Sequence, residues 1–294
     1  MSVNSKCAMA SGLGLLLVVS IAAARPKQDY ILTAAKPDHL VVIDPAKQAI
    51  VADYRIPDTS NWLGTIVPSP DHEIAYVLVN RGESISGIRL DDGKEVFRAN
   101  LSSGDERVKT FFAFDVTPDG TELIVHQIPV QRSQSEYTVR ETRFAVFRTG
   151  DGLDARPVRT FPAPRAVSSV LMRKDGRSFY ALGFDLYEFD HRSGRQLGAR
   201  GVRNWTYANR SIPDLLAVRP ISEPTGIFTL PIFSMVSPTG SEEEPVPTST
   251  IMSLDLNSGE LQYQDVMGEA VALYSTIKSP TKAEFYGVFN DLVK

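Results

Sequence analysis

The sequence predicts an all-β fold, a β-propeller of four-stranded blades, on three observations. The first is a strand-and-turn pattern that recurs with different residues. Val41-Val42-Ile43-Asp44-Pro45-Ala46-Lys47 returns as Ile88 to Lys94, as Leu186 to Arg195 and as Ile251 to Glu260, with a degenerate copy from Phe144 to Gly152. The second is an alternating signature, Pro68-Ser69-Pro70-Asp71, which returns as Val116-Thr117-Pro118-Asp119-Gly120, as Met172-Arg173-Lys174-Asp175-Gly176 and as Lys278-Ser279-Pro280-Thr281. The third is the absence of any long apolar period of 3.6 residues, which leaves almost no helix. Two hairpin types alternating every few tens of residues indicate four-stranded units that bury their faces only against neighbouring units, as propeller blades do.

Taken in order, residues 29–35 read as a first strand, and residues 39–44 and 49–56 as a hairpin across Asp44 to Lys47. Asp, Pro, Asn and Gly separate the β-rich runs because they supply the dihedrals of tight reversals. From Asp71 to Asp119 is 48 residues and from Asp119 to Asp175 is 56. A weaker copy, Ser211-Ile212-Pro213-Asp214, gives a step of 39, and the last step, to Thr281, is 67. These steps scatter around the blade period of about 40–50 residues and give five to six blades. Residues 128–141 read as a lengthened hairpin, and the Pro- and Glu-rich residues 237–249 as an exposed loop.

The chain divides into a leader, residues 1–24, and a propeller domain, residues 25–294. Lys6 precedes an apolar run from Leu13, and Ala22-Ala23-Ala24 fits a signal-peptidase site before Arg25. The run is short for a membrane span, so no span is expected after processing. Removing the leader deletes Cys7, the single cysteine, leaving no disulfide and no thiolate metal site, which suits an oxidising compartment such as the periplasm. It also leaves 30 of the 31 Lys and Arg against 35 Asp and Glu, a mild negative balance that argues against nucleic acid.

Catalytic motifs are few. His39, His72, His126 and His191 are at least 33 residues apart and fit no metal-ligand spacing. There is no phosphate-binding glycine loop, no nucleophile elbow and no Cys-x-x-Cys-His haem site. Most acids sit in turns, where Asp is structural. The aromatics say more. Trp62, Phe111, Phe112, Trp205, Tyr207 and Tyr274 fall at or just before the strand leading into each second-type turn. Segments there form one rim of a propeller, where aromatics serve either as partner anchors or as packing between blades. The rim candidates are Trp62, Phe111, Phe112, Tyr207 and Tyr274.

From Asp29 onward the chain resembles the β subunit of quinohemoprotein amine dehydrogenase. The resemblance is carried by Asp29 to Leu32, Pro37 to Asp44, Glu106 to Phe112, Ala163-Pro164-Arg165, Tyr180 to Leu186 and Pro213 to Val218. It implies a seven-bladed propeller in a periplasmic heterotrimer, from which this chain departs by stopping about one C-terminal blade early. It implies as partners a dihaem α subunit and a small γ subunit that carries cysteine tryptophylquinone. The complex oxidises primary amines to aldehydes and transfers electrons through c-type haem. The β subunit itself has no cofactor, no metal and no catalytic residues; it seats the small subunit and walls the substrate cavity. Two other readings stand beside it. One is a stand-alone lactonase-like hydrolase with a metal at the channel mouth near Asn61, Asp115 and Asn204. The other is a secreted interaction module.

Overall fold

The computed structural model describes residues 29–201, 226–236, 246–265, 273–279 and 282–289. The expected leader lies outside them, and among the described residues no helix is long and apolar enough to cross a membrane. The described chain is β apart from two short 3-10 turns, Asn80–Gly82 and Thr149–Asp154.

Six antiparallel sheets follow one another. The first holds β1 (Ile31–Ala35), β2 (His39–Asp44) and β3 (Ala49–Arg55); the second holds β4 (Leu63–Pro68), β5 (Ile74–Val79), β6 (Ser84–Arg89) and β7 (Glu95–Asn100). The third is built on a long strand, β10 (Glu122–Arg132), which pairs with β8 (Glu106–Lys109), β9 (Phe114–Val116), β11 (Tyr137–Val139) and β12 (Arg143–Arg148), with β13 (Pro157–Pro162) outside β12. The fourth runs β14 (Val167–Met172), β15 (Ser178–Gly183), β16 (Asp185–Asp190), β17 (Gln196–Gly201). The fifth is β18 (Ile227–Val236), β19 (Val246–Asp255) and β20 (Leu261–Asp265), and the sixth the pair β21 (Leu273–Lys278) and β22 (Phe285–Phe289). The architecture is thus a propeller with five blades of three to six strands and a final two-stranded sheet. The uniform four-stranded blade expected from the sequence holds for the second and fourth sheets.

The core lies between the blades. Along β5, Ala75, Val77 and Val79 pack toward the first sheet with Leu40 and Ile56, while Tyr76 and Leu78 pack toward the third with Phe114, Leu123 and Phe147. Alternate residues of a strand point to opposite faces, so a blade with neighbours on both sides needs apolar residues at nearly every position. Two further clusters continue the series. Phe144, Phe161, Phe179 and Phe189 fill the space between the third and fourth sheets, and Leu182, Phe228 and Leu254 that between the fourth and fifth.

Turn chemistry explains the repeats. Ser69 Oγ and Thr117 Oγ1 donate to Asp71 and Asp119 at 2.5 and 2.6 Å and accept the N–H of Ile74 and Glu122. In the other turn type, Asp44, Asp190 and Asp255 accept backbone N–H groups two or three residues on. The reversal then needs a left-handed residue, supplied by Gly194 (φ +70°) and Gly259 (φ +75°), and by Gln48 (φ +51°) in the first copy.

Gly226 (φ +81°) leads directly into β18, and its carbonyl oxygen accepts the N–H of Leu256, as those of Thr121 and Arg177 accept the N–H groups of Thr149 and His191. The steps between equivalent positions, from Glu73 through Thr121 and Arg177 to Gly226, are 48, 56 and 49 residues. Asp214 lies outside the described residues. Of the loop expected at 237–249, residues 246–249 are strand, because β19 begins at Val246, and the rest lies outside the described residues. The hairpin at 128–141 forms as expected from β10 and β11. At the far end of the fold, Ser279 Oγ and Tyr286 Oη both donate to the buried carboxylate of Asp29, joining the last sheet to the start of the first.

A candidate docking rim

Three loops meet on one rim: residues 56–62 before β4, residues 80–83 between β5 and β6, and residues 110–113 before β9. Thr59 O accepts the N–H groups of Trp62 (3.2 Å) and Asn80 (3.1 Å), and Thr110 N–H donates to Gly82 O (2.9 Å). These bonds force an unusual backbone. Eight non-glycine residues among those described have positive φ, and six of them are here: Asp58, Ser60, Asn61, Asn80, Arg81 and Phe112. Left-handed backbone at a residue with a Cβ costs of order 1–3 kcal/mol, so the sheets beneath must over-determine these loops.

The rim gathers three of the five expected aromatics. Trp62 and Phe112 stack with centroids 5.8 Å apart, and Phe111 meets Phe112 edge-on at 4.9 Å. Gly64 makes room, since a Cβ there would stand 2.8 Å from the Trp62 ring. The two roles left open by the sequence are divided among them. Trp62 and Phe112 are half-buried and pack on the core between the second and third sheets, whereas Phe111 is 56% exposed. Tyr207 lies outside the described residues. Tyr274 is on β21, at the bulge between Leu273 and Ser275.

Beside the aromatics is an open cleft of about 890 Å³, lined by Asp58, Arg81, Glu83, Asn100, Ser102 and Arg107 among others. The Glu83 carboxylate is shared by Arg107 (3.0 Å) and Lys109 (3.7 Å). Arg81 and Asp58 project there with no ion pair among the described residues. Nothing in the sequence marked Arg81 beyond the turn-forming run Asn80-Arg81-Gly82. The cleft offers hydrogen bonds and both signs of charge.

The residues considered for a metal at the channel mouth are not brought together. Asp115 is buried on β9, where its oxygens accept the N–H groups of Val116 (2.8 Å) and Met172 (2.7 Å). Asn61 stands on the rim, and Asn204 lies outside the described residues. Among the described residues no three His, Cys, Asp or Glu are grouped to hold a metal ion. The perturbed acids and histidines sit elsewhere. Arg159 and His191 hold Glu122 below the usual carboxylate range, and burial pushes His126 down to about 4.

No protein-family model matches the chain, and no curated protein sequence matches it either. Its likenesses are to solved propellers. The hydrazine synthase of Kuenenia stuttgartiensis superposes with a TM-score of 0.51 at 14% identity, over 85% of this chain and 67% of that one. The Cps50 (Swd1) propeller domain of Myceliophteria thermophila superposes with a TM-score of 0.53 at 9% identity, over 90% of each chain. At these identities the likeness shows the propeller fold.

Proposed function

We propose that this chain is a non-catalytic propeller platform, the β subunit of a periplasmic amine dehydrogenase complex. The Trp62–Phe112–Phe111 rim seats a small partner subunit that carries cysteine tryptophylquinone, and a dihaem subunit receives the electrons. Together the subunits oxidise primary amines to aldehydes. The observation that carries the reading is Phe111, held exposed on a stacked Trp62–Phe112 base by loops in left-handed conformation. A large side chain fixed in advance loses little entropy on binding, which is the property of an interface anchor. Residues 25–294 include no cysteine, so a quinone crosslinked through sulfur and thioether-bound haem both fit other chains of the complex. The rim's contribution is to position the partner and exclude water from the cavity it walls.

Tagged purification from the native periplasm, read by haem absorbance and intact mass, tests this. A dihaem protein and a small quinone-bearing protein are expected to accompany the chain, and Phe111→Ala to release the small one while the propeller stays folded. Purification of the chain alone, without haem, overturns the reading.

A further inference from the structure

The third sheet carries an arm of three strands beyond its blade. β10 continues past its pairing with β12, and its far half, Ile128 to Arg132, is flanked by β8 on one side and β11 on the other. Among the described strands, β11 pairs with β10 alone. Arg140 N–H donates to Pro129 O at 2.9 Å, which makes Val130 and Val139 a non-hydrogen-bonded pair. The alternation of an antiparallel ladder then turns the N–H and C=O groups of Tyr137 and Val139 outward, along the open edge. An edge of this kind templates pairing with a further strand.

The side chains sort by register. Val130 lies opposite both Val139 and Arg107, Arg132 opposite Tyr137, and Ile128 opposite Lys109, so these residues share one face of the arm. On the other face, Val108 and Pro129 are buried against the blade. The free face is apolar in the middle and basic around it. Tyr137 is 69% and Val139 53% exposed, and Arg107, Lys109 and Arg132 surround them. Glu83 meets this face through Arg107 and Lys109, exposed Asp105 precedes β8 with its carbonyl oxygen accepting the Arg132 N–H, and Glu141 follows the end of β11.

We propose that β11 is a docking edge for an extended, acidic segment of a partner protein, which adds to the arm as a further strand. The open ladder supplies backbone hydrogen bonds, and Tyr137 and Val139 supply alternate side-chain contacts. The cations select the sign of the incoming strand and oppose a second copy of this chain, whose own Arg107, Lys109 and Arg132 would face them. The proposal does not depend on the identity of the complex above, because the Phe111 rim and the β11 edge can be altered separately.

The test uses the full chain and two synthetic peptides of about ten residues, alternating Val–Glu and alternating Val–Lys. The acidic peptide is expected to bind at least about tenfold more tightly. Its binding slows hydrogen exchange at the amides of Tyr137 and Val139. Val139→Pro removes an outward N–H that the fold does not use, so it abolishes binding and keeps the thermal midpoint. Should that variant misfold, exchange at the two amides of the unaltered chain decides alone. Equal affinity for both peptides, unchanged exchange at Tyr137 and Val139, or tighter association with phosphatidylglycerol vesicles than with the acidic peptide overturns the proposal. Phe111→Ala leaves peptide binding intact, so loss of the rim partner and loss of strand docking are read independently.

Discussion

Asp115 on β9 accepts the backbone N–H of Met172 on β14 at 2.7 Å, which fastens the third blade to the fourth from the inside. Its other oxygen takes the N–H of Val116, and the residue is buried. Asp115→Ala strands both amides away from water and is expected to cost about 1.5–3 kcal/mol in urea denaturation. A carboxylate held for catalysis in a channel mouth would predict the reverse, a variant of unchanged or raised stability.

Phe144 is the pivot of the packing between the same two blades. It meets Phe179 edge-on at 5.0 Å and Phe189 at 5.2 Å, and no part of it is exposed. Phe144→Ala is expected to lower unfolding free energy by about 3–5 kcal/mol, the transfer cost plus the cavity left in a rigid interface. Leu197→Ser, on the outer strand β17 and 47% exposed, is expected to stay within about 0.5 kcal/mol.

The repeats were legible because each rests on local chemistry. A hydroxyl or carboxylate at Ser69, Thr117, Asp190 or Asp255 must cap its own turn, so the residue type shows in the sequence. Of the rim, the aromatics Trp62, Phe111 and Phe112 were visible, since large apolar residues beside turns are unusual. The left-handed conformation of Asn80 and Arg81 was not, because bonds from Thr59 and Thr110, distant in sequence, impose it on the loop. Nor was the role of Asp115, whose partner Met172 comes from another blade.

Gly82 sits in that strained loop with φ +84°, and a Cβ on it would stand 2.6 Å from the Thr110 carbonyl oxygen. Gly82→Ala therefore meets both a disfavoured backbone and a backbone atom that cannot give way. A loss of about 1–3 kcal/mol is expected, together with weaker docking at the rim, because Thr110 leads directly into Phe111. Gly104 has φ +57° and open space around it. Gly104→Ala is the control, at about 1 kcal/mol and with docking unchanged. Equal effects of the two substitutions on docking would separate the loop from the rim.

His126 gives the fold a dependence on pH whose sign is fixed by burial. The ring is fully enclosed beside Phe144, its Nε2 donates to Pro164 O at 3.0 Å, and its Nδ1 has no partner among the described residues. Burial disfavours the charged ring and lowers its pKa from 6.5 to about 4 in the folded chain. The unfolded chain therefore takes up a proton at a pH where the folded chain does not. Stability from this residue is complete above the unfolded value and is lost as pH falls from 6.5 toward about 4. At about 1.4 kcal/mol per pH unit the loss approaches about 3 kcal/mol. His126→Leu removes it. The unfolding free energy of the native chain minus that of the variant should fall by about this amount between about pH 7 and pH 4. Glu122, Asp119 and Asp190, which also lose stabilising contacts in acid, are present in both chains and cancel in the difference. A difference that stays level over that range would mean that the ring is charged in the fold, with a donor, not an acceptor, at Nδ1.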